Sequence, residues 1–124
     1  CGRVGIVVRA IDMPFWVNLP LAPALKAKVD APGIIGGGAA PNGVADMSLY
    51  RRMRALGLRG LKCFPQMVSV VPGSERIERY QQQILAALTP AEAAEFQQAA
   101  TAAERDGTFF ITQAYHCAVG TKPG

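Results

Sequence analysis

Gly2-Arg3-Val4-Gly5-Ile6-Val7-Val8-Arg9 is the stretch on which the fold of this chain turns. Residues 3–10 are apolar almost without alternation. That pattern predicts a strand buried on both faces of a parallel sheet. The run opens directly behind Cys1, with no cap, turn or polar lead-in before it. We therefore expect the second half of an α/β domain, a single partial domain over 1–124.

Outward from that strand, helices and strands alternate. Asp12-Met13-Pro14-Phe15-Trp16-Val17-Asn18-Leu19-Pro20 reads as a loop, because Pro14 and Pro20 hold the residues before them extended. Leu21, Leu25 and Val29 share one face of a short helix over roughly 21–30. Gly33 and Gly36-Gly37-Gly38, followed by Ala39-Ala40-Pro41-Asn42-Gly43, read as a mobile surface loop. Asp46 is placed to cap a helix carrying Leu49, Met53 and Leu56, which Gly57 stops. A strand follows over about 60–71; Pro65 inside it removes a ladder donor and predicts an edge strand or a bulge.

Pro72-Gly73 turns the chain, and Ser74 caps a helix bearing Ile77, Ile84 and Leu88. Thr89-Pro90-Ala91-Glu92 opens the next helix: Thr89 caps, Pro90 takes the first helical position, and Glu92 completes a capping box. This helix ends at Asp106-Gly107, and Thr108-Phe109-Phe110-Ile111-Thr112 starts a last strand reaching about Val119. Three strands and about four helices result.

Composition narrows the function. With 124 residues, half of them apolar, the chain encloses a modest core. It has no apolar run long enough for a bilayer span, so no membrane partner is expected. No cationic lead with an apolar core marks a secretory peptide. The cysteines, Cys1, Cys63 and Cys117, are odd in number, far apart and without C-x-x-C spacing. They argue against a disulfide framework and for the cytoplasm; Cys63 and Cys117 read as small buried apolar groups. The densest basic cluster, Arg51-Arg52 with Arg54, has no interleaved aromatic residues, so nucleic acid is not an expected partner.

Three stretches together carry a family resemblance. Gly2-Arg3-Val4-Gly5-Ile6-Val7-Val8 resembles the turn and fifth strand of class I S-adenosylmethionine-dependent methyltransferases, which have a Rossmann-like sheet. Asp12-Met13-Pro14-Phe15-Trp16-Val17-Asn18-Leu19-Pro20 resembles the loop after that strand in a small-molecule branch of the family. Asp106-Gly107-Thr108-Phe109-Phe110-Ile111, with His116-Cys117-Ala118-Val119-Gly120-Thr121-Lys122-Pro123, resembles that branch's closing strand. The resemblance implies that the last strand is a reversed seventh strand inserted between the fifth and sixth. The helix pair at about 74–106 would then enlarge the sixth-to-seventh connection. It also implies methyl transfer to a small molecule.

The chain departs from the family where the cofactor is held. That fold uses a Gly-rich turn after its first strand and an acidic residue after its second, and neither is present. Gly36-Gly37-Gly38 follows a helix and lacks G-x-G-x-x-G spacing, and Cys1 stands where the family has Gly. The expectation is that S-adenosylmethionine binds only with an N-terminal half absent from these residues or on another chain. Alone, the chain would be inactive. Its cofactor-binding residues remain unassigned.

Ligands of open α/β sheets sit outside the carboxyl ends of the strands. That places Arg9, Asp12, Phe15, Trp16 and Asn18 at a substrate pocket: Trp16 against a flat or apolar group, Asn18 orienting a polar one, Asp12 or Arg9 fixing charge. The competing reading has Phe15 and Trp16 closing the core and Asp12 capping the loop. His116, the single histidine, is the candidate general base; its competing reading is a packed, hydrogen-bonded structural residue. Tyr115 alternates to the opposite face. Cys63, His116 and Cys117 supply no fourth ligand for a closed zinc site, so no metal is expected. The glutamine runs Gln81-Gln82-Gln83 and Gln97-Gln98 read as solvated helix faces.

The rival function is a non-catalytic α/β remnant serving as an interaction or dimerisation module. Val4 to Val8 would leave one row of backbone groups unpaired at a sheet edge. Self-association, or a partner covering that edge, is therefore expected.

Overall fold

The computed structural model describes residues 2–35 and 46–124. Cys1 and the glycine-rich stretch 36–43, expected as a loop, lie outside the described residues. The elements run β1 (Arg3–Arg9), β2 (Trp16–Val17), α1 (Pro23–Asp30), α2 (Ser48–Ala55), β3 (Arg59–Val70), α3 (Glu75–Ala86), α4 (Pro90–Arg105) and β4 (Ile111–Thr121). The chain is α/β, and its strands form an open antiparallel sheet. Among the described residues no helix is long and apolar enough to cross a membrane.

β4 organises the sheet. It pairs antiparallel with β1 from Arg3↔Thr121 to Arg9↔Tyr115, and with β2 at Trp16↔Thr112 and Val17↔Ile111. β3 also pairs with β4. At Gly120, which faces Val4 across the β1 ladder, a Cβ would stand 3.1 Å from Leu58 Cβ, on the residue just before β3. The last strand thus lies between the first strand and the strand over 59–70.

Two expectations change. β1 is not a strand of a parallel sheet buried on both faces; exposed and half-buried residues alternate along it, and Val7 is 66% exposed. A run of valine and isoleucine reports the chemistry of both faces, not what covers each. Further, three strands become four, because Trp16 and Val17 pair with β4 inside the stretch read as a loop. A two-residue pairing has no periodicity to read; it arises from a partner almost a hundred residues away.

The signals of the two later helices act as read, and those of α2 only in part. Thr89 and Glu92 form the capping box, and the Ser74 side chain accepts from the Ile77 N–H. Asp46 Oδ1 accepts from the Ser48 N–H at 2.8 Å, although the cap position itself falls on Met47. Gly57 ends α2 at φ 69°, a conformation costly for residues with a Cβ. Leu56, expected on the apolar face, is 67% exposed, because the helix ends before it. Of the edge strand or bulge that Pro65 implied, β3 is the edge strand, exposed along nearly all its length.

Packing divides the described residues into two compact units. One comprises 2–13, 46–68 and 114–124. In it α2 lays Leu49 and Met53 on Ala118 of β4, with Val4, Ile6 and Val8 of β1 and Leu58 and Leu61 around them. The other comprises 14–35 and 69–113. Its core gathers Phe15, Val17, Leu25, Val29, Ile77, Ile84, Phe96, Phe109 and Ile111. Such side chains each contribute about 1.5–3 kcal/mol when fully buried. Tyr80 joins this core and donates its hydroxyl to Gln113 Oε1.

Candidate functional site

The first unit carries a polar chain centred on the single histidine. His116 stands opposite Val8 in the β1–β4 ladder and is 2% exposed. Its Nε2 lies 2.5 Å from Asp12 Oδ1, just past the end of β1. Its Nδ1 lies 2.8 Å from Tyr50 Oη, on the first turn of α2. The Tyr50 and His116 rings also meet edge to face, 5.2 Å between centroids at 81°. The second carboxylate oxygen of Asp12 accepts from the Met47 N–H at 3.1 Å, which ties the entry to α2 to the same acid.

For a neutral imidazole beside an ionised Asp12, the hydrogen-bond inventory places the protons. An ionised carboxylate only accepts, so Nε2 of His116 carries hydrogen toward Asp12. In the neutral imidazole Nδ1 is then an acceptor, and the Tyr50 hydroxyl donates to it. Burial works against the Asp12 charge, yet the bonds from His116 and the Met47 N–H outweigh it and hold its carboxyl below the ordinary value. Burial raises the Tyr50 phenol, assisted by the neighbouring Cys63, Cys117 and Asp12. Tyr50 is therefore a neutral phenol whose hydrogen is committed inward and whose oxygen retains acceptor capacity. Burial also raises the Cys117 thiol, so it stays protonated and unreactive.

A groove of about 740 Å³ adjoins this chain, lined by Tyr50, Arg51, Arg54, Leu58, Leu61 and Cys63. Its volume falls in the range of small-molecule sites. Cys63, expected to be buried, is exposed here, because β3 is an edge strand with little packed against it. Among the described residues no carboxylate lies within ion-pair distance of Arg51 or Arg54.

The residues singled out in the sequence divide between the units. Arg9, Asp12 and His116 belong to the first, and the structure joins Asp12 to His116 directly. Phe15, Trp16 and Asn18 belong to the second. There Phe15 is 4% exposed and packs edge-on to Tyr80 in the core, as its competing reading had it. Trp16 is half exposed, with the Lys26 ammonium 4.0 Å from its ring centre. Asn18 Nδ2 donates to the Thr108 carbonyl and fastens its own loop. Tyr50 was not singled out. Its one sequence signal is its place four residues after Asp46, on the first turn of a helix whose side chains face back toward its start.

No protein-family model, curated protein or solved structure matches this chain. Among the described residues no group of three or more His, Cys, Asp or Glu side chains is arranged to hold a metal ion. The described residues also lack a nucleoside cradle. β1 runs into Ala10-Ile11-Asp12-Met13 without a glycine, and Gly73, in the β3–α3 turn, stands alone, without G-x-G-x-x-G spacing. S-adenosylmethionine therefore does not fit the described residues by themselves.

Proposed function

We propose that this chain is the acceptor-side part of a Rossmann-like domain that transfers methyl groups to a small molecule, its cofactor cradle lying across the free edge of β1. The single observation that carries this reading is the strand order: a reversed last strand between the first strand and the strand over 59–70. β3 and β4 are consecutive and paired, but two helices rather than a tight turn join them, and β4 also pairs with β1, the first strand, so it stands between strands made earlier. From Arg3 to Val8, β1 has β4 on one edge and no second strand on the other among the described residues, so further strands have somewhere to add.

The experiment is equilibrium dialysis of radiolabelled S-adenosylmethionine against two species, the 124-residue chain and the natural polypeptide that contains it. Binding by the longer species and none by the chain alone is the expected outcome. No binding by either refutes the reading. The rival, an interaction module, draws on the same open edge of β1; it becomes the better account if the natural polypeptide has the mass of this chain and still pairs across that edge.

A further inference from the structure

We propose that Tyr50 is the proton port of a relay ending at Asp12, and that the groove beside it binds a small anionic acceptor whose hydroxyl or amine hydrogen-bonds to Tyr50 Oη. The inference deepens the acceptor-side reading above and rests on it for what happens to the deprotonated atom. The binding site itself rests on the geometry of the first unit.

His116 cannot meet a ligand itself, being 2% exposed with both ring nitrogens engaged. A base so placed serves a ligand only through an intermediary, and Tyr50 is the side chain that both touches its Nδ1 and lines the groove. The phenol gives its hydrogen inward, so its lone pairs remain for a donor outside. A ligand X–H therefore donates to Oη. When the X–H bond breaks, its proton joins Oη, the original Tyr50 proton moves to His116 Nδ1, and the electron pair stays on X. The imidazolium formed is paired with the Asp12 carboxylate 2.5 Å away, which is what makes the transfer feasible in a buried place.

The charge of the ligand follows from α2. Arg51 and Arg54 are one turn apart on that helix and line the same groove as Tyr50; among the described residues neither has a carboxylate within ion-pair distance, and Arg51 acts at longer range on Asp46. Guanidinium groups match carboxylate and phosphate in geometry as well as charge. Leu58 and Leu61 supply apolar wall between them. The ligand class is thus a small acid with an apolar body and a proton-bearing oxygen or nitrogen at its other end. A purely structural role for the relay would fasten α2 to β4 equally well, but would leave the histidine indifferent to ligands.

The chain has one histidine, so ¹⁵N-histidine labelling yields a single imidazole pattern that reports both nitrogens. The probes are 4-hydroxybenzoate, its uncharged analogue 4-hydroxybenzamide, and the aliphatic 3-hydroxybutanoate. We expect saturable perturbation of the His116 imidazole by at least one hydroxy acid, with 4-hydroxybenzoate binding about tenfold more tightly than the amide. Exchanging both arginines, Arg51→Gln with Arg54→Gln, removes that preference. Tyr50→Phe retains acid binding but abolishes the response at His116. No saturation by either hydroxy acid up to ~10 mM overturns the proposal, as does binding that leaves His116 unmoved, or a response that survives in Tyr50→Phe. Since no cofactor enters this titration, its failure and the failure of the dialysis experiment are separate results.

Discussion

Replacing Tyr50 with Phe removes one oxygen and tests the centre of the site. His116 Nδ1 then loses its donor at 2.8 Å while the ring stays 2% exposed. A buried acceptor left without a partner costs about 1–3 kcal/mol. The edge-to-face contact at 5.2 Å survives in Phe, so the aromatic term, about 0.5–1.5 kcal/mol, is kept. Tyr50 is half-buried, and water approaching from the groove recovers part of the loss. We therefore place the cost near ~1.5 kcal/mol. For a chain of this size that corresponds to a fall in Tm of about 4–8 °C.

Urea unfolding is the assay, with the midpoint lowered and the slope unchanged. Asp12→Asn supplies the second arm of a double-mutant cycle. No hydrogen bond joins Asp12 to Tyr50; the two are linked through opposite nitrogens of His116. If the three act as one network, the cycle yields a coupling of about 0.5 kcal/mol or more. A cost below ~0.3 kcal/mol for Tyr50→Phe, with strictly additive effects in the cycle, would refute the relay.

Further expectations concern pH, the core and the open edge. Asp12 titrates below the ordinary carboxylate value in the folded chain, so the unfolded chain binds its proton first. Its stabilisation is present above about pH 4 and is lost as pH falls through the lower folded value; acid titrations of the native chain and Asp12→Asn should converge there. Phe96→Ala, at a position 1% exposed in the second unit, should cost about 3–5 kcal/mol by urea unfolding. Thr89→Ala breaks the capping box of α4 and should cost about 1 kcal/mol, visible as a lowered midpoint with the native circular dichroism retained. Sedimentation velocity should find the isolated chain dimeric or larger, through the free edge of β1, and Val7→Lys on that strand should weaken the association. A strict monomer at ~100 µM, far above the ~1 µM affinity of an ordinary specific pair, would remove that expectation.

Local chemistry was sufficient for the features that neighbouring residues settle among themselves. Thr89-Pro90-Ala91-Glu92 specifies a helix start because every bond of the capping box closes within four residues. Gly57 and Gly73 mark turns because their positive φ suits no side chain. Pro65 narrows its strand to an edge or a bulge because it removes a ladder donor, and the edge is what the structure has. These signals were legible, as was the α/β alternation they punctuate.

Whatever depends on a distant partner was not. The pairing of Trp16 and Val17 with β4 spans about ninety-five positions, and nothing in a two-residue stretch encodes it. The apolar run of β1 carries no record of which face is covered, so Val7 looked interior and is exposed. Asp12 and His116 could each be named as polar residues in suggestive places. Their union through an imidazole, and the arrival of Tyr50 on its other nitrogen, required β1, α2 and β4 to converge. Hydrogen bonds form between atoms about 3 Å apart whatever their separation along the chain. Sequence alone therefore settled the capping box of α4 and the glycine turns, and tertiary structure alone decided which side chains meet to form a site.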